Sequence, residues 1–374
     1  MEHLTIEGTN PDSSFSYDII WSDSFAELYD CMKNIPGLRP GRICIVTDSH
    51  VEALYLKTLK DALSCFPGTV ASFVFPEGEQ NKNLETVCNL YRFLIERHFD
   101  RKDLLIALGG GVAGDMTGFT AATYLRGIDF IQIPTTLLAQ TDSSVGGKTG
   151  VDMDGFKNMV GAFHQPRLVY MNMSVLRTLS GNQFVSGMGE VVKTALLGSR
   201  PLYDLLKKSP EQICRRDPEI LTSVISACCR VKGNIVRQDP TEKGLRAILN
   251  LGHTLGHAVE KCSNFALLHG QCVGIGLNAA CWLSSKRGYI SREEYEDIRN
   301  LLKCYGIPTA ASGLTAEELL DAARSDKKMV NGRIRFILLR AVGEAFTDLS
   351  VSDEEILEAA SVILTNETSG DFLS

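Results

Sequence analysis

No uninterrupted apolar run of roughly eighteen residues occurs in this 374-residue chain, so the sequence offers no membrane-spanning helix. Its first residues, Met-Glu-His-Leu-Thr-Ile-Glu-Gly, have neither the basic start nor the apolar run of a secretory signal, and a cytoplasmic location is the expectation. None of the eleven cysteines has a partner at Cys-x-x-Cys spacing, and an odd, scattered set suits reduced thiols rather than a disulfide framework. Cys262 and Cys272 lie near three histidines, but a small buried thiol is the commoner use of such residues. Nor is positive charge in excess: 45 acidic against 38 basic residues leave a formal net charge of −7, which argues against general affinity for nucleic acid or an anionic membrane. Any anionic ligand must be held by basic residues gathered locally. There is no internal repeat and no low-complexity segment, and only the last few residues read as a frayed tail.

What is present suffices for two domains with a large core, since 44% of the residues are hydrophobic. In the first half, strand and helix signals alternate. Residues 42–47, 69–75, 103–108, 130–133 and 168–171 are short apolar runs that read as buried strands, and 51–63 and 84–98 carry apolar residues at helical spacing. Repeated βα units predict a mostly parallel sheet covered by helices. Beyond Leu179 the character changes: 183–197, 220–236, 252–261, 270–285, 292–304 and 316–324 read as helices, with 334–339 the one clear strand. The turn chemistry of Leu179-Ser180-Gly181-Asn182 places a boundary there, giving an α/β domain over 1–180 and a helical domain over 181–374.

Gly109-Gly110-Gly111-Val112-Ala113-Gly114-Asp115 follows a strand signal and opens a helix, and Gly109, Gly111 and Gly114 satisfy G-x-G-x-x-G. Without Cβ atoms the backbone can approach a pyrophosphate, and the helix start supplies N–H groups and a positive dipole end. The motif lies far from the N-terminus and has no clear acidic residue about twenty positions on, so a merely tight strand-to-helix turn remains open at this level. Asp142-Ser143-Ser144-Val145-Gly146-Gly147-Lys148-Thr149-Gly150 echoes a P-loop, but the first glycine of that signature would fall on Asp142, whose carboxylate repels phosphate. A flexible loop offering Lys148, with Lys157 and Asn158 shortly after, can bind an anion or simply be solvated. Glu190 and Lys193 stand three apart on one helix face; a solvated ion pair is the usual reading, and their apolar neighbours Val191, Val192, Ala195 and Leu196 make burial the alternative. His253 and His257, four apart, also share a face, and His269 follows. Neutral imidazole is the commonest protein ligand for zinc, so a divalent metal site is the first hypothesis.

Taken in order, Gly-Gly-Gly-Val-Ala-Gly-Asp, Pro-Thr-Thr-Leu-Leu-Ala-Gln-Thr-Asp-Ser-Ser-Val-Gly-Gly-Lys-Thr, Asp-Gly-Phe-Lys-Asn, Gly-Met-Gly-Glu-Val-Val-Lys and Asn-Leu-Gly-His-Thr-Leu-Gly-His resemble the 3-dehydroquinate synthase family. The resemblance implies a Rossmann-like N-terminal α/β domain, a C-terminal helical domain and an active site in the cleft between them. It implies NAD and Zn2+ or Co2+ as cofactors, an anionic sugar phosphate as substrate, and a homodimer. The implied reaction turns 3-deoxy-D-arabino-heptulosonate 7-phosphate into 3-dehydroquinate and phosphate. In it a ring hydroxyl is transiently oxidised, the acidified neighbouring C–H permits phosphate elimination, the hydride is returned, the ring opens, and an intramolecular aldol closes the carbocycle.

By the same resemblance the metal ligands are Glu190, His253 and His269, which moves His257 from the metal, where helical spacing would put it, to the leaving phosphate or to proton transfer. Lys232 and Arg246 match residues that hold the substrate carboxylate. Lys148, Asn158, Asn250, His257 and Lys327 match the polar set around hydroxyls and phosphate, with Lys328 adjacent to the last of these. Lys193 and Asp142 match further site residues, and Arg126 matches an arginine supplied across the dimer. For NAD, Glu77, Gly78, Glu79 and Lys82 match the nucleotide loop, so the ribose acid lies upstream of the glycines. Gly111, Val112, Gly114 and Asp115, then Thr135 and Thr136, then Lys148, Lys157 and Thr178 complete that set, with Asp48 toward the adenosine. A related cyclase acting on sedoheptulose 7-phosphate or glucose 6-phosphate would lack a substrate carboxylate, against which Lys232, Arg246, Asn250 and His257 argue. A polyol dehydrogenase of similar architecture typically has Asp where Glu190 stands, and a non-catalytic scaffold would need neither metal ligands nor anion clamps.

Overall fold

The five apolar runs of the first half become five of the six mutually parallel strands in one seven-stranded sheet. The computed structural model describes residues 2–8, 14–154, 156–325, 329–330 and 333–365; Lys327 and Lys328 lie outside the described residues. Contacts divide the chain into two units, residues 1–179 with 232–241, and residues 180–231 with 242–374. The segment 232–241 thus groups with the first unit, which a single cut at 180 does not provide for.

In the first unit the strands are β1 (Glu2–Gly8), β2 (Phe15–Ser22), β3 (Arg42–Asp48), β4 (Thr69–Phe75), β5 (Leu104–Gly109), β6 (Asp129–Pro134), a separate hairpin of β7 (Lys148–Met153) and β8 (Phe156–Phe163), and β9 (Leu168–Asn172). The sheet order is β1-β2-β9-β6-β5-β3-β4, with β1 antiparallel to β2 and all other pairings parallel. β5 and β9 are buried along their whole length, as strands covered on both faces must be. Successive residues feed opposite faces: Ile43, Ile45, Leu104, Ile106 and Ile131 belong to one apolar cluster, and Cys44, Val46, Leu105 and Phe130 to another. β1 and β2 precede the strands expected from sequence. Their buried residues alternate with more exposed ones, which hides them from a search for apolar runs.

Connections around β3 set where the strand order reverses. The chain runs from β3 through a helical stretch to β4 on one side, then through helix α1 (Leu84–Glu96) to β5 on the other, so strand order reverses between β3 and β5. Open α/β sheets bind ligands beyond the carboxyl ends of their strands at such a reversal. Helix α2 (Gly111–Thr123) leaves β5 there. The flexible loop expected around Lys148 is instead the β7–β8 hairpin. Gly146 (φ +103°) and Gly147 (φ +66°) turn the chain into it, and a Cβ at Gly118 of α2 would come 2.3 Å from Thr149 Cγ2, so the hairpin packs tightly on that helix. Glycines and a lysine within the run obscure its two-residue period.

The second unit is mostly helical. Helices α3 (Gly181–Gly198), α4 (His253–Cys262) and α5 (His269–Lys286) carry the candidate metal residues, and Arg292–Cys304, Ala316–Ser325 and Asp353–Val362 pack with them. Ser180 caps α3 by accepting from the Gln183 N–H, and Ser352 with Glu355 forms a reciprocal capping box at Asp353–Val362. Where sequence gives one strand, the structure has an antiparallel pair, Phe336–Ala341 with Glu344–Asp348. Glycines bring the central helices into backbone contact. A Cβ at Gly189 would stand 2.1 Å from Gly270 O, one at Gly270 1.8 Å from Ser186 O, and one at Gly276 1.8 Å from Gly252 O. No other residue permits these approaches of α3 and α4 to α5.

Arg287, just past α5, donates to both Glu355 oxygens, to Asp348 (2.9 Å) and to Ser350, and ties the last helix to the bundle. Arg287→Ala is expected to cost about 2–3 kcal/mol of stability at neutral pH. Hydrogen bonding to Arg287 lowers the Glu355 pKa from 4.5 to about 2. The mutational difference should therefore be complete above pH 4.5 and shrink as the pH falls through about 2, which urea melts at several pH values would measure. No helix among the described residues is long and apolar enough to cross a membrane.

Candidate active site

In the first unit, the turn between β5 and α2 is built to admit a ligand's backbone-like approach. Gly110 caps α2, and the Gly114 N–H bonds back to Gly110 O (3.1 Å), which leaves the earlier N–H groups of the turn at the helix end. A Cβ at Gly110 would stand 3.1 Å from Thr136 Cγ2, and one at Gly111 3.3 Å from Ser143 Oγ. Asp48 ends β3 beside this turn and accepts from the His50 and Val51 N–H groups (3.0 and 2.9 Å). The Thr135 N–H donates to Gly109 O (2.9 Å), and the Thr136 hydroxyl accepts from the Ala139 N–H (3.1 Å). Here the glycine motif is a strand-to-helix turn at the sheet's reversal point, which fits a dinucleotide pyrophosphate.

Lys82 gathers several predicted residues around one buried cation. Its ammonium bonds Asp115 (2.7 Å) and Asn158 Oδ1 (2.6 Å) and lies 3.9 Å from Glu79, which Lys157 approaches to 3.6 Å. Burial lowers the Lys82 pKa, but Asp115, Glu79 and Asp152 more than reverse this and hold it above the ordinary lysine range. Glu77 and Gly78 (φ +108°) precede this cluster. Asn158 has φ +53°, a conformation stabilised by its N–H donating to Asp152 (2.8 Å), a residue sequence reasoning passes over. Lys232 pairs with Asp142, 2.9 Å to the carboxylate and 2.8 Å to the backbone oxygen. Lys148 starts β7 with an exposed side chain, Thr178 bonds Tyr55 and Val175 O, and Arg126 is exposed in a turn where Leu125, Arg126 and Gly127 have φ of +51°, +71° and +124°.

In the second unit, Glu190 and Lys193 form an ion pair in which each residue is 1% exposed, so the solvated reading fails. Glu190 Oε1 lies 3.7 Å from His253 Nε2 and 3.3 Å from His269 Nε2. His253 Nδ1 is 3.1 Å from Leu251 O and donates to it, leaving Nε2 as the nitrogen with a lone pair. His269 Nδ1 is 3.3 Å from Glu260 Oε2. One ligand atom each of His253, His257 and His269 lies within 4.8 Å of the other two. Three imidazoles and a carboxylate therefore converge, a donor set suited to Zn2+ or Co2+. Burial opposes a charged His269, yet hydrogen bonds to Glu190 and Glu260 raise its pKa to about 9. Asn250 donates to Glu242 (3.3 Å) and Ala247 O (3.2 Å), and the neighbouring Arg246 is fully buried. Sequence reasoning passes over Glu242 and Glu260. Glu260 could have been found, because it follows His257 by three residues and so shares its helix face.

The N-terminal 3-dehydroquinate synthase family model matches residues 72–186, and the C-terminal one matches residues 187–329. The chain belongs to the 3-dehydroquinate synthase family. A 3-dehydroquinate synthase of Acetivibrio thermocellus is 39% identical over 92% of this chain and 95% of its own length. Among solved structures, the fold is similar to that of 2-epi-5-epi-valiolone synthase from Streptomyces hygroscopicus with NAD+ and Zn2+ bound, at 26% identity and a TM-score of 0.86 over 94% of this chain and 97% of that one. A structure of 2-deoxy-scyllo-inosose synthase complexed with carbaglucose-6-phosphate, NAD+ and Co2+ shares the fold at 23% identity and a TM-score of 0.85, covering 96% and 99% of the two chains. Its likeness to the 3-dehydroquinate synthase family is thus closer in sequence than its likeness to either of these two cyclases.

Proposed function

We propose that this chain converts 3-deoxy-D-arabino-heptulosonate 7-phosphate into 3-dehydroquinate and phosphate, using NAD+ without net consumption and one divalent metal ion. The observation that carries this reading is the convergence of Glu190, His253, His257 and His269, in a chain whose family models cover both halves. Glu190, His253 and His269 would hold the metal, which would supply Lewis acidity toward a substrate hydroxyl or carbonyl. The glycine turn of Gly111, Val112 and Gly114, with Asp48, Glu77 and Glu79, holds NAD+, which when bound accepts and returns a hydride.

This chain's own side chains supply the rest. Lys232 and Arg246 bind the substrate carboxylate, the feature that separates this substrate from those of carboxylate-free cyclases. Each of these cations is buried, and a buried charge attracts an anion more strongly than a solvated one. Lys148, Asn158 and Asn250 orient hydroxyls, and His257 stands next to the metal ligands where it can hold a proton for the leaving phosphate. Lys193, paired to Glu190, and Lys232, paired to Asp142, are each placed by a carboxylate. Arg126 reaches the site of the second copy in a homodimer; its exposure and its unusual left-handed backbone support a role outside its own unit's packing. The enzyme works in the cytoplasm.

Purified protein given NAD+, Zn2+ and the heptulosonate phosphate should release phosphate and 3-dehydroquinate in equal amounts with no lasting NADH absorbance. Phosphate without carbocycle, or accumulating NADH, would refute the proposal. Lys82→Met should leave the half-buried Asp115 without its cation, lowering the melting temperature and weakening NAD+ binding by about tenfold, as titration calorimetry would read.

A further inference from the structure

His253 and His269 present the same nitrogen, Nε2, to Glu190, but the groups behind the two rings differ. Behind His253 Nδ1 stands a neutral carbonyl, Leu251 O at 3.1 Å; behind His269 Nδ1 stands a carboxylate, Glu260 Oε2 at 3.3 Å. Glu260 is carried by α4, not by α5, and is only 3% exposed. A carboxylate so deeply buried is costly unless it accepts from a donor, and the ring N–H of His269 is set against it.

We infer that Glu260 is a positioning residue for the metal centre. By accepting the hydrogen bond from Nδ1 it holds the His269 ring with Nδ1 toward α4 and Nε2 toward Glu190. Two helices thereby build one ligand: α5 supplies the ring and α4 its orientation. Gly256 of α4 makes this reach possible, since a Cβ there would stand 2.9 Å from Cys272 O on α5. The inference rests on the reading of Glu190, His253 and His269 as the ligands. Outer-sphere partners of this kind change metal affinity by about 10–100-fold.

The test compares Zn2+ affinity, by competition with a chromophoric chelator, in the parent chain, Glu260→Gln, Glu260→Ala and His269→Ala, together with the visible spectra of the Co2+-loaded forms and NAD+ affinity as a control. Glutamine keeps an acceptor oxygen without the charge, so Glu260→Gln should weaken Zn2+ binding about 10-fold and Glu260→Ala about 100-fold. Both should shift the Co2+ absorption and bind NAD+ as the parent does. Parent-like Zn2+ affinity and Co2+ spectrum in Glu260→Gln and Glu260→Ala, with the ion lost in His269→Ala, would overturn the inference and leave the ligand set standing. Should Glu260→Ala not fold, Glu260→Gln decides alone. Parent-like Zn2+ binding by His269→Ala would instead bring down the ligand set itself.

Discussion

His269→Ala is expected to leave purification without a full equivalent of metal and to bind Zn2+ more than about 100-fold more weakly than the parent chain, whereas His257→Ala keeps one equivalent and loses turnover. Proximity alone does not separate these histidines, because all three imidazoles offer atoms within 4.8 Å of one another. What singles out His269 is its setting. Its Nε2 is 3.3 Å from the Glu190 carboxylate, and its other nitrogen is held by Glu260. A ligand restrained on both sides loses little freedom when a metal binds, so its removal forfeits nearly the whole of its bond. Elemental analysis of the two purified variants, with turnover measured in excess Zn2+, reads the difference. Metal retained by His269→Ala and lost by His257→Ala would transfer the ligand role to His257 and leave the i,i+4 spacing of α4 as the correct guide.

Gly270→Ala is expected to be nearly as damaging, although its new methyl group would touch no ligand. That methyl would sit 1.8 Å from Ser186 O, and a backbone oxygen inside α3 cannot rotate aside as a side chain can. Either α3 and α5 move apart or the methyl distorts one of them. Overpacking of this kind costs about 3 kcal/mol, and separation of the helices also carries Glu190 away from His269. Stability and metal affinity should therefore fall together, measured by urea unfolding and by chelator competition. Gly181→Ala is the contrasting case: nothing lies within 4 Å of its would-be Cβ, and it should leave metal content unchanged. Retention of both properties in Gly270→Ala would mean that the close helix crossing is not what assembles the site.

Where an element is apolar along its whole length or at helical spacing, sequence reads it well. β5 and β9, continuous apolar runs, and α4 and α5, with regular spacing, all fall close to their expected positions. β2 escapes because its buried residues alternate with more exposed ones instead of forming an apolar run, and the β7–β8 hairpin because glycines and lysines interrupt its period. The short helices Arg200–Lys208 and Pro210–Cys214, of nine and five residues, escape because so few turns fall short of the window over which helical periodicity is read. At the site, the motif residues come from resemblance, and no local pattern joins Glu190 to His269. Their meeting depends on Gly189 and Gly270, whose importance lies in what a side chain would strike. Asp152 and Glu242 stay hidden for a related reason, and Glu260 shows only its spacing to His257: an acid in a strand, helix or loop reads as solvated until the donor facing it is known.

The return of residues 232–241 to the first unit bears on the order in which this protein can become itself. During synthesis, residues 180–231 must emerge before Lys232 becomes available to pair with Asp142. A ribosome that has released only the first 179 residues has therefore made every strand of the sheet but not all of the unit that contains it. Domain-by-domain folding, N-terminal part first, is the usual course for chains of this length. Here that course stops short until all of α3 and the helix Pro218–Gln238 have been translated, which ties completion of the first unit to synthesis of part of the second. Fragments cut near residue 180 should accordingly behave as unfinished proteins rather than as separable modules.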